Sequence, residues 1–144
     1  MPTNFGENLE MARTLIVYAD GGSRGNPGLA AFGAVVYEAD KVLIEIAETI
    51  GVATNNVAEY RGLIAGLEAA HKIDPEAQIE ARLDSKLVVE QMSGNWKMRN
   101  PGMRELAFQA KKIHSPELLK FVWVPREANS HADSLVNQAL DGDF

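Results

Sequence analysis

One stretch near the start of the chain decides its fold class: Leu15-Ile16-Val17-Tyr18-Ala19-Asp20-Gly21-Gly22-Ser23-Arg24-Gly25-Asn26-Pro27-Gly28. Residues 13–19 include a short apolar run of the kind that forms a strand buried on both faces. Residues 21–28 contain four glycines and a proline and therefore predict a turn. Asp20 stands between them, at the end of the predicted strand.

Three further acidic residues occupy comparable positions. Asp84 also follows an apolar strand, whereas Glu59 and Asp133 fall in the first turns of predicted helices. If the fold brings the four together, their like charges require bound cations, and carboxylate oxygens are the ligands that Mg²⁺ and Mn²⁺ prefer. Two such ions can clamp the attacking and leaving oxygens of a phosphate. The leading interpretation is therefore a metal-dependent nuclease.

Each acid also has a purely structural explanation. Asp20 can bond its own backbone at the start of a turn, and Asp84 can cap the helix predicted to begin near Ser85. The capping-box spacing occurs twice, in Asn56 with Glu59 and in Ser130 with Asp133. For any single acid, the structural explanation is as plausible as a catalytic role. The motifs that flank the acids favour the catalytic role.

The acids lie in four motifs that follow one another through almost the whole chain, over roughly residues 13–141. They are Asp20-Gly21-Gly22-Ser23-Arg24-Gly25-Asn26-Pro27-Gly28, Thr54-Asn55-Asn56-Val57-Ala58-Glu59, Leu83-Asp84-Ser85 and Asn129-x-x-Ala132-Asp133-x-Leu135-Val136. Their order and content resemble the type 1 ribonuclease H family, in its short form without a basic protrusion. The resemblance implies an α/β protein with a ribonuclease H-like fold: a five-stranded mixed sheet with helices on both faces.

The spacing of apolar residues predicts the same fold class. Strands are predicted at residues 13–19, 32–38, 42–50, 78–83 and 118–124, and helices at 57–73, 85–92, 101–114 and 130–140. This order predicts a mixed sheet that contains a hairpin and parallel crossovers. Phe108, Phe121 and Trp123 are expected in the core, and His71 and His114 are expected to be structural.

The length of 144 residues corresponds to one domain. We expect residues 1–11 to be a disordered polar leader, 12–141 the ribonuclease H domain and 142–144 a C-terminal tail. The leader resembles neither a signal peptide nor a membrane anchor, so a cytoplasmic protein without a membrane partner is expected. We expect a monomer, and a fusion to a further domain in the full-length protein is left open.

The composition limits how nucleic acid can be bound. The net charge is −6 and the pI is about 5.0, which argues against binding by bulk electrostatics. Between Gly94 and Pro101 there is no room for the Lys-rich protrusion of longer family members. Modest substrate affinity is expected. The absence of cysteine excludes disulfides and thiolate metal sites.

The resemblance implies hydrolysis of the RNA strand of RNA–DNA hybrids with two Mg²⁺ ions, for which Mn²⁺ can substitute. The products would carry 5′-phosphate and 3′-hydroxyl ends. Asp20 would bridge both ions, Glu59 and Asp84 would complete the shell of one ion, and Asp133 that of the other.

The resemblance also assigns contacts to the RNA strand, whose 2′-hydroxyl distinguishes ribose from deoxyribose. They come from the backbone of Gly21, Gly22 and Ser23 and from the side chains of Asn26 and Asn55. Glycine suits this place because a backbone without Cβ atoms can approach a strand closely.

A second set of residues is assigned to the DNA strand. Thr54 and Asn100 match the family's phosphate pocket, but Val52 stands where the family has Arg, which weakens that pocket. Trp96 and Lys97 are candidates to stack on deoxyribose and to contact phosphate, with packing of Trp96 under a loop as the alternative.

His131 is close to Asp133 in sequence but occupies a variable position of its motif. Helix residues two positions apart point in different directions, so we expect His131 to face away from the metal site. Many family members place a catalytic His in a longer loop before Asn129. Here that loop is only residues 125–128, and Arg126 is the candidate replacement.

Two other functions stay open from the sequence alone. One is a different nuclease of the same fold, such as a resolvase or a transposase core, which would cleave branched DNA rather than a hybrid. The other is a non-catalytic hybrid-binding module, and the presence of all four acids argues against it.

Overall fold

The structure, a computed structural model, describes residues 13–142. The predicted leader and residues 143–144 of the predicted tail lie outside the described residues. The strands are β1 Thr14–Gly25, β2 Gly28–Glu38, β3 Lys41–Ala53, β4 Gln78–Leu83 and β5 Leu119–Trp123. The α-helices are α1 Asn55–Ile73, α2 Lys86–Met92, α3 Pro101–Lys111 and α4 Ser130–Asp141, and short 3-10 turns span Pro116–Leu118 and Arg126–Asn129. The predicted order of elements is confirmed.

The strands form one mixed sheet in the order β3-β2-β1-β4-β5. β1 pairs antiparallel with β2, and β2 with β3, whereas β4 runs parallel to both β1 and β5. The parallel pairs require crossover connections, and the helical segments after β3 and β4 supply them. The predicted five-stranded mixed sheet is confirmed.

The glycine-rich segment after Asp20 is the main departure from the predicted secondary structure. It continues strand β1 instead of forming a turn, and it pairs with β2 as far as Gly25 opposite Gly28. Only Asn26 and Pro27 are left to reverse the chain. Pairing with β2 outweighs the local preference of glycine for turns, because a ladder hydrogen bond satisfies each backbone group. Residues 21–23 therefore lie on a paired strand.

Helices cover both faces of the sheet, as predicted. On one face, Tyr60, Leu63 and Leu67 of α1 are fully buried in one core cluster with Leu15 and Val17 of β1. On the other face, Val136 and Ala139 of α4 pack against Ala31 of β2. The sheet is thus held between two apolar layers, and α1 and α4 approach β1 from opposite sides.

Two of the three aromatic residues expected in the core are exposed. Phe108 is 53% exposed and Trp123 is 47% exposed, so those predictions are wrong, whereas Phe121 packs partly buried against the core. Phe108 lies off the buried stripe of α3, which contains Ala107 and Ala110. Trp123 ends the edge strand β5, where solvent reaches one side.

The two core histidines form a hydrogen-bonded pair. Nδ1 of His71 lies 2.9 Å from Nδ1 of His114, and Nε2 of His114 lies 2.7 Å from the Ala77 carbonyl oxygen. Because Nε2 of His114 must donate to that carbonyl, its Nδ1 accepts from His71. This geometry ties α1 to the segment after α3, which agrees with the structural role expected of both residues.

Candidate active site

Two of the four acids are placed side by side by the parallel pairing of β1 with β4. Ala19 lies opposite Leu83 in this ladder, so Asp20 and Asp84 occupy neighbouring positions one residue further along. Asp20 is 8% exposed. A polar side chain at the carboxyl end of a parallel strand is a common foundation for a site in α/β proteins.

Close helix packing brings the other two acids to the same place. A Cβ atom on Gly21 would lie 2.3 Å from the backbone nitrogen of Glu59, and one on Gly33 would lie 2.5 Å from the carbonyl oxygen of Ala132. Only glycine permits α1 and α4 to approach the sheet this closely. The space at Gly21 is thus filled by α1, whereas beside Gly22 only a Val136 methyl lies near, at 3.7 Å.

The structural explanations of the acids do not hold. Helix α1 is capped by Thr54 and helix α2 by Ser85, each accepting a hydrogen bond of 3.2 Å from the backbone nitrogen three residues later. Helix α4 begins after Asn129, whose side chain makes no capping bond. Asp20 lies inside β1 rather than in a turn. The four acids are therefore free of capping roles.

The acids form a donor set that fits a divalent cation. Asp20, Glu59 and Asp84 each offer one carboxylate oxygen, and these oxygens lie within 4.8 Å of one another. Oε2 of Glu59 is buried and has no hydrogen-bond partner among the described residues. A buried carboxylate oxygen without a partner is costly, and a bound cation would remove that cost. Hard oxygen donors match Mg²⁺ or Mn²⁺.

The pKa values of the acids in this cluster also indicate a cation site. The pKa of Asp20 is raised to about 8, mainly by burial and then by the negative charges of Asp84 and Asp133. A hydrogen bond from the Gly21 backbone partly offsets this rise. Burial also raises the pKa of Glu59 to about 7. Like charges that share one buried site raise one another's pKa values in this way. Binding of a metal ion would release these protons.

Replacing Asp20 by Asn is expected to stabilise the metal-free protein at pH 8 and to change its stability little at pH 4. The pKa of Asp20 rises from 3.8 to about 8 on folding, so between these values the folded state binds more protons than the unfolded state. The free energy of unfolding therefore falls as the pH rises through this window, and Asn removes that loss. Thermal unfolding in EDTA at both pH values measures the effect.

The control for this experiment is Asp40→Asn, which changes an exposed acid in the turn between β2 and β3. It should leave the melting temperature unchanged at both pH values. Added Mg²⁺ should raise the melting temperature of the wild type more than that of Asp20→Asn, since an ion that binds only the folded state stabilises it. Equal stabilisation by Asp20→Asn at pH 4 and pH 8 would contradict the shifted pKa.

Asn129 is a site residue that the sequence interpretation named only as part of a motif. It is fully buried, and its Nδ2 donates to the carbonyl oxygen of Ala19 at 2.9 Å and to Oδ2 of Asp84 at 3.3 Å. Nε1 of Trp123 donates to the backbone oxygen of Asp84 at 3.1 Å. Asn129 and Trp123 thus fix the position of Asp84, a role for which the sequence carries no separate signal.

The acidic cleft contains five of the nine predicted substrate-contact residues, namely Gly21, Gly22, Ser23, Asn55 and Arg126. Oδ1 of Asn55 accepts from the backbone nitrogen of Ser23 at 2.8 Å and from its hydroxyl at 2.9 Å. Oδ1 of Asn26 accepts from the backbone nitrogen of Asn55 at 3.1 Å. The first two motifs are therefore joined by hydrogen bonds along one wall of the cleft.

The remaining candidates lie outside the residues that line this cleft. Thr54 caps α1, as described, and Asn100 caps α3 by accepting from the backbone nitrogen of Met103 at 3.1 Å. Trp96 is 45% exposed in the loop after α2. Conversely, Arg24 lines the cleft and pairs with Asp141 at 2.5 Å, although the sequence interpretation assigned it no role.

His131 faces away from the four acids, as expected. It lies 2.5 Å from the hydroxyl of Tyr37 through Nδ1, and its Nε2 bonds the carboxylate of Glu45. Both ring nitrogens are thus occupied on the β2–β3 side of α4. Arg126, in contrast, lies in the cleft and lowers the pKa of Glu59.

Fold and site together define a ribonuclease H-like protein. A protein-family model described as "Reverse transcriptase-like" matches residues 18–139. Bifunctional protein Rv2228c of Mycobacterium tuberculosis is 52% identical over 88% of this chain and 35% of its own length. Ribonuclease HI of Halobacterium salinarum is 45% identical over 86% of this chain and 63% of its own.

A solved structure, LC11-RNase H1 in complex with an RNA/DNA hybrid, superimposes with a TM-score of 0.83 at 41% identity, covering 89% of this chain and 97% of the other. The chain belongs to the type 1 ribonuclease H family. It spans about a third of the length of the first curated relatives it matches. Within residues 13–142, no helix has the length and apolar character needed to span a membrane.

Proposed function

We propose that this chain hydrolyses the RNA strand of RNA–DNA hybrids by a two-metal-ion mechanism and leaves 5′-phosphate and 3′-hydroxyl ends. The observation that carries the proposal is the convergence of Asp20, Glu59 and Asp84, with one buried carboxylate oxygen of Glu59 left without a protein partner. A relative 41% identical to the chain has been solved with an RNA/DNA hybrid bound, which supports the choice of substrate.

Each acid has its own part in this proposal. Asp20 is the most central, since both Asp84 and Asp133 raise its pKa, and it would contact both ions. Glu59 and Asp84 would complete the shell of one ion, and Asp133 that of the other. When bound, two Mg²⁺ ions, or Mn²⁺ in their place, lower the pKa of an attacking water and stabilise the charge on the leaving oxygen. Asn129 keeps Asp84 oriented through its 3.3 Å hydrogen bond.

The wall formed by Ser23 and Asn55 would recognise the RNA strand. Because Oδ1 of Asn55 is used by Ser23, its Nδ2 group is left as a donor at the cleft. The backbone of Gly21 and Gly22 and the side chain of Asn26 would complete these contacts. Thr54, Asn100 and Trp96 would contact the DNA strand.

We also propose that the protein is a cytoplasmic monomer whose chain continues into a further domain. The relative from M. tuberculosis is named a bifunctional protein, and the present chain matches only 35% of its length.

The direct test is a cleavage assay with a hybrid whose RNA strand is labelled at the 5′ end, carried out with Mg²⁺, with Mn²⁺ and with EDTA. Cleavage is expected with either metal ion and not with EDTA. Ligation of the downstream fragment tests for its 5′-phosphate. Cleavage of branched DNA but not of the hybrid would instead support a resolvase-like nuclease, and binding without cleavage would support a non-catalytic module.

Replacing His131 by Ala is expected to lower turnover less than about tenfold, since a proton-shuttling His contributes roughly 10²–10⁴-fold. Arg126→Ala is expected to cost more, on the order of 10²-fold, because its guanidinium lies in the cleft and can stabilise charge on the scissile phosphate. Steady-state kcat measured on the hybrid ranks the two variants. A larger loss for His131→Ala at unchanged Mg²⁺ affinity would make His131 the acid–base group.

A further inference from the structure

Helix α3 and the loop before it carry a concentration of positive charge that the acidic cleft does not use. Residues 97–112 contain one acid, Glu105, and five basic residues: Lys97, Arg99, Arg104, Lys111 and Lys112. The local charge is +4 in a chain whose net charge is −6. All five basic residues are exposed, and none forms an ion pair with another residue that the structure describes.

Part of this charge is arranged in a stripe around an exposed aromatic ring. Arg104, Phe108 and Lys111 are spaced so that they lie on one face of α3, and they line one shallow groove. Phe108 is 53% exposed, and Nζ of Lys112 lies 4.1 Å from the centroid of its ring. We call Arg104, Phe108, Lys111 and Lys112 the α3 stripe. About half of the Phe108 surface is open to solvent, and the groove that it lines contains Glu105 as well as two of the basic residues.

We propose that the α3 stripe binds single-stranded nucleic acid, such as an unpaired extension of a hybrid substrate. Exposed basic side chains can contact successive phosphates, and an exposed aromatic ring can stack on a base. A duplex would use the charges but would offer its bases to Phe108 only at an end. An acidic protein segment would likewise use the charges and leave the ring without a matching partner.

The residues of the α3 stripe do not line the acidic cleft, and the proposed binding to the stripe needs no metal ion. The test therefore uses the full chain in EDTA, where no metal ion is available to bind phosphate in the cleft. Fluorescence anisotropy follows the binding of a labelled 15-nucleotide oligothymidine and of an abasic oligonucleotide of equal length. The wild type is expected to bind the oligothymidine more tightly, because only that probe has bases to stack.

Two changes to the stripe should each weaken oligothymidine binding. Phe108→Ala is expected to raise Kd by at least about fivefold, the lower end of the effect of one stacked base, and to leave abasic binding unchanged. Arg104→Gln with Lys111→Gln should reduce the slope of log Kd against log salt concentration by about 1.4, at roughly 0.7 for each lost phosphate contact to a single strand. Circular dichroism confirms that the helices are retained.

The matched control is Lys41→Gln, which removes one exposed charge at the start of the edge strand β3 and should change Kd less than about twofold, whereas Arg104→Gln alone should weaken binding more. Undetectable binding by the wild type, or equal weakening by the control and stripe variants, overturns the proposal. If Phe108→Ala weakens the binding of the abasic oligonucleotide as much as that of the oligothymidine, Phe108 does not stack on bases. Because these measurements are made without metal, failure of hybrid cleavage would not affect them.

Discussion

Replacing Asp84 by Asn is expected to reduce hybrid cleavage on the order of 10³-fold or more while the protein remains folded. The effect should exceed the 10–100-fold that loss of an outer partner of a metal ligand costs, because Asp84 is itself one of the three converging carboxylates. Asn has nearly the same shape and keeps an oxygen that can accept from Asn129. The variant therefore removes the charge of the ligand and little else.

The measurement is the single-turnover rate on a labelled hybrid over a range of Mg²⁺ concentrations. Asp84→Asn should require more Mg²⁺ and should stay slow at saturation, whereas Asp40→Asn, in an exposed turn, should behave as the wild type. Circular dichroism and thermal unfolding establish that both variants are folded. Near wild-type cleavage by folded Asp84→Asn would refute the assignment of Asp84 as a metal ligand.

The sequence was sufficient to predict the order of the elements and to select four acids that line one cleft, because both depend on local patterns. The spacing of apolar residues defines the strands and helices, and each acid lies in a short motif that is recognisable from its neighbours in sequence. In the structure, Asp20 lies inside β1 rather than after it, and Glu59 lies beyond the first turn of α1. The glycine-rich segment was mispredicted for the opposite reason. Its conformation is set by pairing with β2, from Gly21 opposite Phe32 to Gly25 opposite Gly28, and a local preference for turns carries no information about that partner strand.

Two other features could not be obtained from residue type alone. Phe108 was expected in the core as an aromatic residue, but its position relative to Ala107 and Ala110 places it on the outer face of α3. Asn129 acts through contacts with Ala19 and Asp84, which are distant in sequence and meet only in the folded sheet. The acids are recognisable from their chemistry, whereas the residues that orient them are recognisable only from geometry.

A hybrid whose RNA strand carries 2′-O-methyl groups throughout is expected to be cleaved on the order of 10⁴-fold more slowly than the unmodified hybrid, and a DNA duplex by a similar factor. A site that hydrogen-bonds a substrate hydroxyl rejects an analogue without that group by roughly 10⁴–10⁵-fold. Here the proposed contacts come from Asn26, Asn55 and the strand that carries Gly22. Values of kcat/KM for the three substrates under identical Mg²⁺ and salt conditions measure the discrimination.

The contribution of Asn55 to this discrimination can be isolated. Asn55→Ala removes the Nδ2 donor and also frees the backbone nitrogen and hydroxyl of Ser23 that Oδ1 binds, so the ratio of hybrid to DNA-duplex cleavage should fall. Asn95→Ala, in the exposed loop after α2, should leave that ratio unchanged. Because the chain is acidic, the KM for the hybrid should be high and should rise only gradually with salt. Equal kcat/KM on hybrid and DNA duplex in the wild type would exclude recognition of the 2′-hydroxyl while leaving the metal-dependent nuclease intact.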